Sequence, residues 1–232
     1  MDVILIPGFW LDASSWNEVT PELEAAGHRV HAVTLPGLES ADAPRAGIGL
    51  EDHIAAVVGL LDGLDGPVAI VGHSGGGAVA QGVVDRRPDR VARLVFVDAA
   101  PIADGDCVND ELPVVGDEIP LPDWSVFEAA DLVDLDDALR DRFRSRALPH
   151  PAAAASDPLR LHDERRHDVP TTVVCCEFPS SQVHEWIAAG VPFVRELAAH
   201  RDVAYVDLPT GHWPQFTRPA ELGRVLADAL AS

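Results

Sequence analysis

The chain has 232 residues, 47% of them hydrophobic, enough to bury one sizeable core at a length that often forms a single α/β domain. Its formal charge of −21 repels nucleic acid phosphates and anionic lipid, which argues against nucleic acid and membrane partners. Every basic residue is an arginine, because lysine is absent.

Met1 and Asp2 lead straight into Val3-Ile4-Leu5-Ile6, with no basic leader, and no segment reaches the roughly 18 apolar residues of a membrane span. Cys107, Cys175 and Cys176 are odd in number, and the last two are neighbours on an expected strand, pointing to opposite faces. A cytoplasmic protein without a disulfide framework is therefore expected.

Strands are expected at Val3 to Ile6, Arg29 to Thr34, Val68 to Val71, Arg93 to Val97, Thr171 to Cys176 and Val203 to Leu208. Each is nearly continuous in apolar residues, the mark of a strand buried on both faces of a parallel sheet. Between them, helices are expected at Ser15 to Ala26, Leu50 to Leu61, Gly76 to Arg86, Gln182 to Ala199 and Pro219 to Ala231. The alternation predicts an α/β fold with a doubly wound, mostly parallel sheet.

The alternation fails between Pro101 and Val169, where Asp, Pro and Ala dominate and two helices are expected, Trp124 to Leu135 and Asp137 to Leu148. A structureless loop of that length is unusual inside a compact domain. Residues 101–169 are thus expected to form a small helical lid inserted into a core of 1–100 and 170–232.

Val68 to Ala78 read VAIVGHSGGGA, and the glycines admit two readings. As a dinucleotide cradle, Gly75 to Ala80 fit G-x-G-x-x-A after a strand, with Asp98 placed where a ribose-binding acid belongs. Against this, two strands precede the loop, whereas the fingerprint usually follows the first. As a nucleophile elbow, Gly72-His73-Ser74-Gly75-Gly76 fit G-x-S-x-G, in which a strained turn exposes the serine hydroxyl. The Gly75 amide then lies at a helix N-terminus, where it can meet a developing oxyanion.

Two other loops supply what the second reading needs. Thr210-Gly211-His212-Trp213-Pro214 sets a histidine between the last strand and the final helix, in the serine-first, histidine-last order. Ile6-Pro7-Gly8-Phe9-Trp10 follows the first strand, so the amide of Phe9 or Trp10 can complete an oxyanion hole opposite Gly75. Histidine spacing suggests no metal: His28 and His31 should face opposite ways, while His162 and His167 sit in a charged stretch expected to be solvated.

The stretches LIPGFW, GHRVHAVTLPG, VGHSGGGAVA, RLVFVDAAP and LPTGHW resemble the α/β-hydrolase superfamily over nearly the whole chain. The start at the strand before the oxyanion loop resembles the small branch of plant methyl esterases and hydroxynitrile lyases. The resemblance implies Ser74 as nucleophile, His212 as base, a small-molecule substrate and no cofactor; it leaves oligomeric state open. It also implies ester or lactone hydrolysis, with a cofactor-free lyase or a ligand-sensing homologue as alternatives. A hydroxynitrile lyase of that branch would want a lysine after the late histidine, where Trp213 stands.

The acid departs from the family. Its usual turn after the penultimate strand reads Cys176-Glu177-Phe178-Pro179 here, without an aspartate. Glu177 lies two positions early and is expected to need a shifted loop to reach His212. Asp98, closing the strand after the elbow helix, is the favoured acid. A turn-capping role for Asp98 stays open at this point.

Overall fold

The computed structural model describes residues 1–231. Strands β1 (Asp2–Ile6), β2 (Arg29–Ala32), β3 (Val68–His73) and β4 (Val91–Val97) precede two short antiparallel strands, β5 (Glu118–Ile119) and β6 (His150–Pro151); β7 (Thr171–Cys175) and β8 (Val203–Asp207) follow. The main sheet runs β2-β1-β3-β4-β7-β8, and every pair in it is parallel. Strand order reverses at β1, so the loops after β1 and β3 leave the same edge side by side. That switch point is where an open α/β sheet opens a crevice for ligands.

Helices α1 (Thr20–Ala25), α2 (Leu50–Asp62), α3 (Gly76–Arg86), α4 (Asp137–Arg146), α5 (Ala152–Ser156), α6 (Ser180–Ala188), α7 (Arg195–Ala199), α8 (Pro214–Thr217) and α9 (Pro219–Ala231) complete the chain. One face of the sheet packs Ile4, Ile70 and Phe96 against α2 and α3; the other packs Leu5, Val71 and Val95 against Trp16, Leu23 and α9. Cys175 belongs to the first core and Cys176 to the second, as the strand period requires. Both thiols are buried and free.

The two-sided burial expected of every strand holds for β1 and β3 and fails at the edges. Arg29 of β2 and Ala204 and Asp207 of β8 are exposed, because an edge strand has no neighbour beyond it. Charge blunts the β2 edge: Arg29 and His31 both hold the Asp2 carboxylate of β1.

Three expected helices differ, each for a local reason. The helix expected over Ser15 to Ala26 divides into a 3₁₀ turn, Ala13–Trp16, and α1, because Pro21 fits only the first turn of a helix. The helix expected over Gln182 to Ala199 stops at Ala188; Gly190 turns the chain at φ +68° and Pro192 opens a separate 3₁₀ turn before α7. The helix expected over Trp124 to Leu135 is a 3₁₀ turn, Trp124–Val126, followed by irregular chain. Asp123 accepts the Ser125 amide and Asp131 accepts the Glu128 amide, local bonds that compete with a helix.

Residues between β4 and β7 lie over the carboxyl edge of the sheet. Their aromatic cluster joins Trp124, Phe127 and Phe143 to Trp213, whose ring is buried beside the last strand loop. Among the described residues, no helix is long and apolar enough to cross a membrane.

Candidate active site

Five strand ends build the site. At the end of β3, Ser74 adopts φ +51°, a left-handed backbone that is strained for any residue with a Cβ. Gly76 makes that turn possible: a Cβ there would fall 2.4 Å from the Pro7 carbonyl oxygen, so only glycine lets the elbow press against the β1 loop. Gly75 caps the N-terminus of α3, where backbone amides lack helical acceptors and the dipole favours negative charge. Across from it, Trp10 takes φ +64°, turning the β1 loop toward the elbow.

Ser74 Oγ lies 2.7 Å from His212 Nε2, and His212 Nδ1 lies 2.7 Å from Asp98 Oδ2. With the ring neutral and its hydrogen on Nδ1, the serine hydroxyl donates to Nε2 and Nδ1 donates to the carboxylate. Asp98, at φ +45°, accepts the Cys176 and Glu177 amides with its second oxygen, each at 3.1 Å. Its carboxylate is therefore not free to cap its own turn. Burial opposes the Asp98 charge, but His212 and the Glu177 amide outweigh it and hold the carboxyl below its usual range. Burial likewise opposes an imidazolium at His212; the two carboxylates on Nδ1 reverse that and raise its pKa above 6.5.

Glu177 reaches His212 without any displacement of the loop, contrary to expectation. Its Oε1 stands 2.7 Å from the same Nδ1. Burial, partly countered by His212, and the nearby Asp98 charge push its pKa up to about 7.

Two contacts support the histidine loop, the second of them not singled out from the sequence. His73 Nε2 donates to the His212 carbonyl at 2.7 Å, and burial drives the His73 pKa down to about 3, which keeps that ring neutral. The stretch 130–133 docks on the histidine loop: the Gly211 amide donates to Val133 O at 3.1 Å and the His212 amide to Asp131 O at 2.8 Å. The glycine before His212 was the available signal, since a Cβ at Gly211 would fall 2.2 Å from Asp131 O. Gly211→Ala is expected to push that backbone away at a cost of about 1–3 kcal/mol. A lower Tm and faster hydrogen exchange at the His212 amide are the expected readouts; unchanged values would show that the close approach does not matter.

A cavity of about 550 Å³ opens over Ser74, lined by Phe9, Ala99, Ile102, Val108, Leu112 and Phe127 among others. Trp124 and Phe143 pack within the aromatic cluster, whereas Phe127 also borders this cavity. Segment 101–169 clamps the β1 loop: Trp10 Nε1 donates to Ile119 O at 3.1 Å, the Leu148 amide donates to Trp10 O at 2.9 Å, and His150 stacks on Phe9 at 4.0 Å.

The dinucleotide reading does not fit this geometry. Asp98 is engaged by His212 and two amides rather than open to a ribose, and the Phe9 ring covers the loop so closely that a Cβ at Gly75 would meet it at 2.4 Å. Two triplets bring ligating atoms within 4.8 Å of one another: His167, Glu196 and His200, and Asp98, Glu177 and His212. In the first, Arg166 Nε lies 2.8 Å from Glu196 Oε1, so a cation already neutralises that acid. His167, expected on a solvated face, is half-buried against the same carboxylate. In the second, both imidazole nitrogens are already engaged.

Residues 3–225 match the model of the alpha/beta hydrolase family. The chain belongs to that family. Among curated members, this alpha/beta hydrolase is 26% identical to a pyrethroid hydrolase of Sphingobium wenxiniae over 98% of this chain and 86% of that one. It is also 35% identical to Methylesterase 8 of Arabidopsis thaliana over a shorter stretch, 40% of this chain and 36% of the other. An extracellular alpha/beta-hydrolase from a Paenibacillus species superposes with a TM-score of 0.76 at 23% identity, covering 100% of this chain and 98% of that one. That likeness concerns the fold.

Proposed function

We propose that this protein is a serine hydrolase of small carboxylic esters or lactones, with Ser74 as nucleophile, His212 as general base and Asp98 as the acid that orients it. The observation that carries the reading is the unbroken chain Ser74 Oγ, His212, Asp98, with 2.7 Å at each link. The names of the similar hydrolase and methylesterase support the same chemistry.

In this mechanism His212 Nε2 takes the proton of Ser74 as Oγ attacks the carbonyl carbon, and the new oxyanion is held by the amides of Gly75 and of Phe9 or Trp10. The imidazolium then gives its proton to the leaving alcohol oxygen, the ester bond breaks, and an acyl-enzyme remains. Water, deprotonated by the same nitrogen, releases the acid and restores Ser74. Residues 101–169 act as a lid, since they line the cavity and grip the β1 loop. The mostly apolar lining favours an apolar acyl or alcohol group, and no step calls for a cofactor.

Treatment with a fluorophosphonate followed by intact-mass spectrometry tests the reading. One adduct per chain is expected, mapping to Ser74, together with loss of p-nitrophenyl butyrate turnover. A protein that neither forms the adduct nor turns over a panel of p-nitrophenyl esters is not a serine esterase.

A further inference from the structure

His212 Nδ1 carries a single hydrogen, yet two carboxylates compete for it. Asp98 Oδ2 and Glu177 Oε1 both stand 2.7 Å from that nitrogen, and the ligating atoms of the three residues lie within 4.8 Å of one another. Two carboxylates at this separation cannot both hold a full charge without a large penalty, so one proton is shared over the pair.

Their surroundings divide that charge unequally. Asp98 receives two backbone amides on its second oxygen, which favours its ionised form. Glu177 faces an apolar cavity of about 510 Å³ that includes Phe178, Val183 and Trp186. From the elements packed around it, Glu177 also meets Asp98 after β4, Asp131 from segment 101–169, the Cys176 thiol beside it and His212 after β8. Asp98 and Asp131 oppose its ionisation and His212 favours it, while the Cys176 thiol, its own pKa pushed up by burial, stays neutral. Burial first, then the Asp98 charge and Asp131, favour a proton on Glu177; removing the Asp98 charge takes away one of these causes, so Glu177 ionises more readily.

We propose that Glu177 is a second positioning acid for His212, one that takes the Nδ1 hydrogen bond in place of Asp98 when the Asp98 carboxylate is lost. The proposal rests on the serine hydrolase reading for its kinetic consequences; its geometric content stands apart from any turnover. In the intact site Glu177 adds a second oxygen to the imidazolium formed at each proton transfer. Once Asp98 is neutral, the proton leaves Glu177 for solvent and the carboxylate left behind fixes the tautomer. The balance is one proton released and one hydrogen bond moved from Asp98 to Glu177.

A double-mutant cycle tests this, with kcat/KM for p-nitrophenyl butyrate measured across pH on Asp98→Asn, Glu177→Gln and the double variant, each at the same folded fraction. The asparagine oxygen can still accept the Cys176 and Glu177 amides, so the loop keeps its anchor. Glu177→Gln is expected to lose less than about tenfold. Asp98→Asn is expected to lose about 10²-fold, well short of the roughly 10⁴-fold cost of the same Asp-to-Asn change in a serine protease triad, with residual activity that rises as Glu177 ionises. The double variant should reach that ~10⁴-fold loss and lack the pH-dependent limb.

If the double variant loses no more than Asp98→Asn alone, or only the product of the two single losses, Glu177 is not a second acid. A parallel reading uses no substrate: the downfield Nδ1–H proton resonance of His212 should persist in Asp98→Asn and vanish in the double variant. Failure of ester turnover in the intact protein, with the resonance behaving as expected, would remove the hydrolase reading and keep the acid pair. Loss of the resonance in Asp98→Asn, in a folded protein, overturns the acid pair itself.

Discussion

Ser74→Ala is expected to lower kcat for a p-nitrophenyl ester by about 10⁶-fold and to leave the fold intact. Removing the attacking oxygen from a serine triad costs on the order of 10⁶ because the remaining members act only through it; binding and the oxyanion donors retain a small residue of catalysis. Alanine has a Cβ like serine, so the φ of +51° is no more strained in the variant than in the native elbow. The amides of Gly75 and the β1 loop stay in place, which predicts that KM for the same ester changes little. The variant should also resist the fluorophosphonate completely. Steady-state kinetics on both proteins, with thermal unfolding as the control for folding, checks the prediction. Undiminished turnover by Ser74→Ala, in protein free of contaminating esterase, would sink the mechanism.

Parts of this site are legible in the sequence because local chemistry forces them. Helix α3 begins at Gly76 and ends at Arg86 as expected, since a glycine-rich turn after a buried strand leaves few other starting points. Helix α9 likewise begins at Pro219, a residue suited to the first turn. The three loops carrying Ser74, His212 and Phe9-Trp10 meet because they all leave the carboxyl ends of parallel strands, and a parallel sheet puts those ends on one edge.

What was not legible depends on backbone angles and on contacts between distant segments. Asp98 turns toward His212 through a φ of +45°, which nothing in Val97-Asp98-Ala99 announces. Glu177 looked too early in its loop, but it stands only two residues beyond the end of β7, and its longer side chain covers the distance that a longer loop would have covered. The stretch 130–133 reads as helical because Ala, Leu and Val recur there. Its Asp131 and Val133 carbonyls are committed to Gly211 and His212, some eighty residues away, and such a tertiary claim overrides a weak helical pattern.

His212→Ala is expected to cost nearly as much as loss of the serine, again about 10⁶-fold in kcat, and to abolish the pH dependence that the intact protein shows. The base works only as neutral imidazole, so kcat/KM should rise about tenfold per pH unit on the acid side and level off once the ring is deprotonated. Burial alone would place that transition below 6.5; the Asp98 and Glu177 carboxylates outweigh it, so the midpoint is expected above 6.5. The sign for stability is opposite. A group whose folded pKa is raised stabilises the fold fully below its unfolded value of about 6.5 and loses that contribution as pH climbs through the folded value. Activity and the His212 contribution to stability should therefore exchange over the same window, the fold being firmest where the base is protonated and idle. Kinetics from pH 5 to 9 alongside Tm values on the intact protein and His212→Ala would show both trends. A profile flat across that range in the intact protein would mean that no histidine acts as base. A midpoint clearly below 6.5 would mean that the carboxylates on Nδ1 do not outweigh burial, and the orienting role given to Asp98 would fall with it.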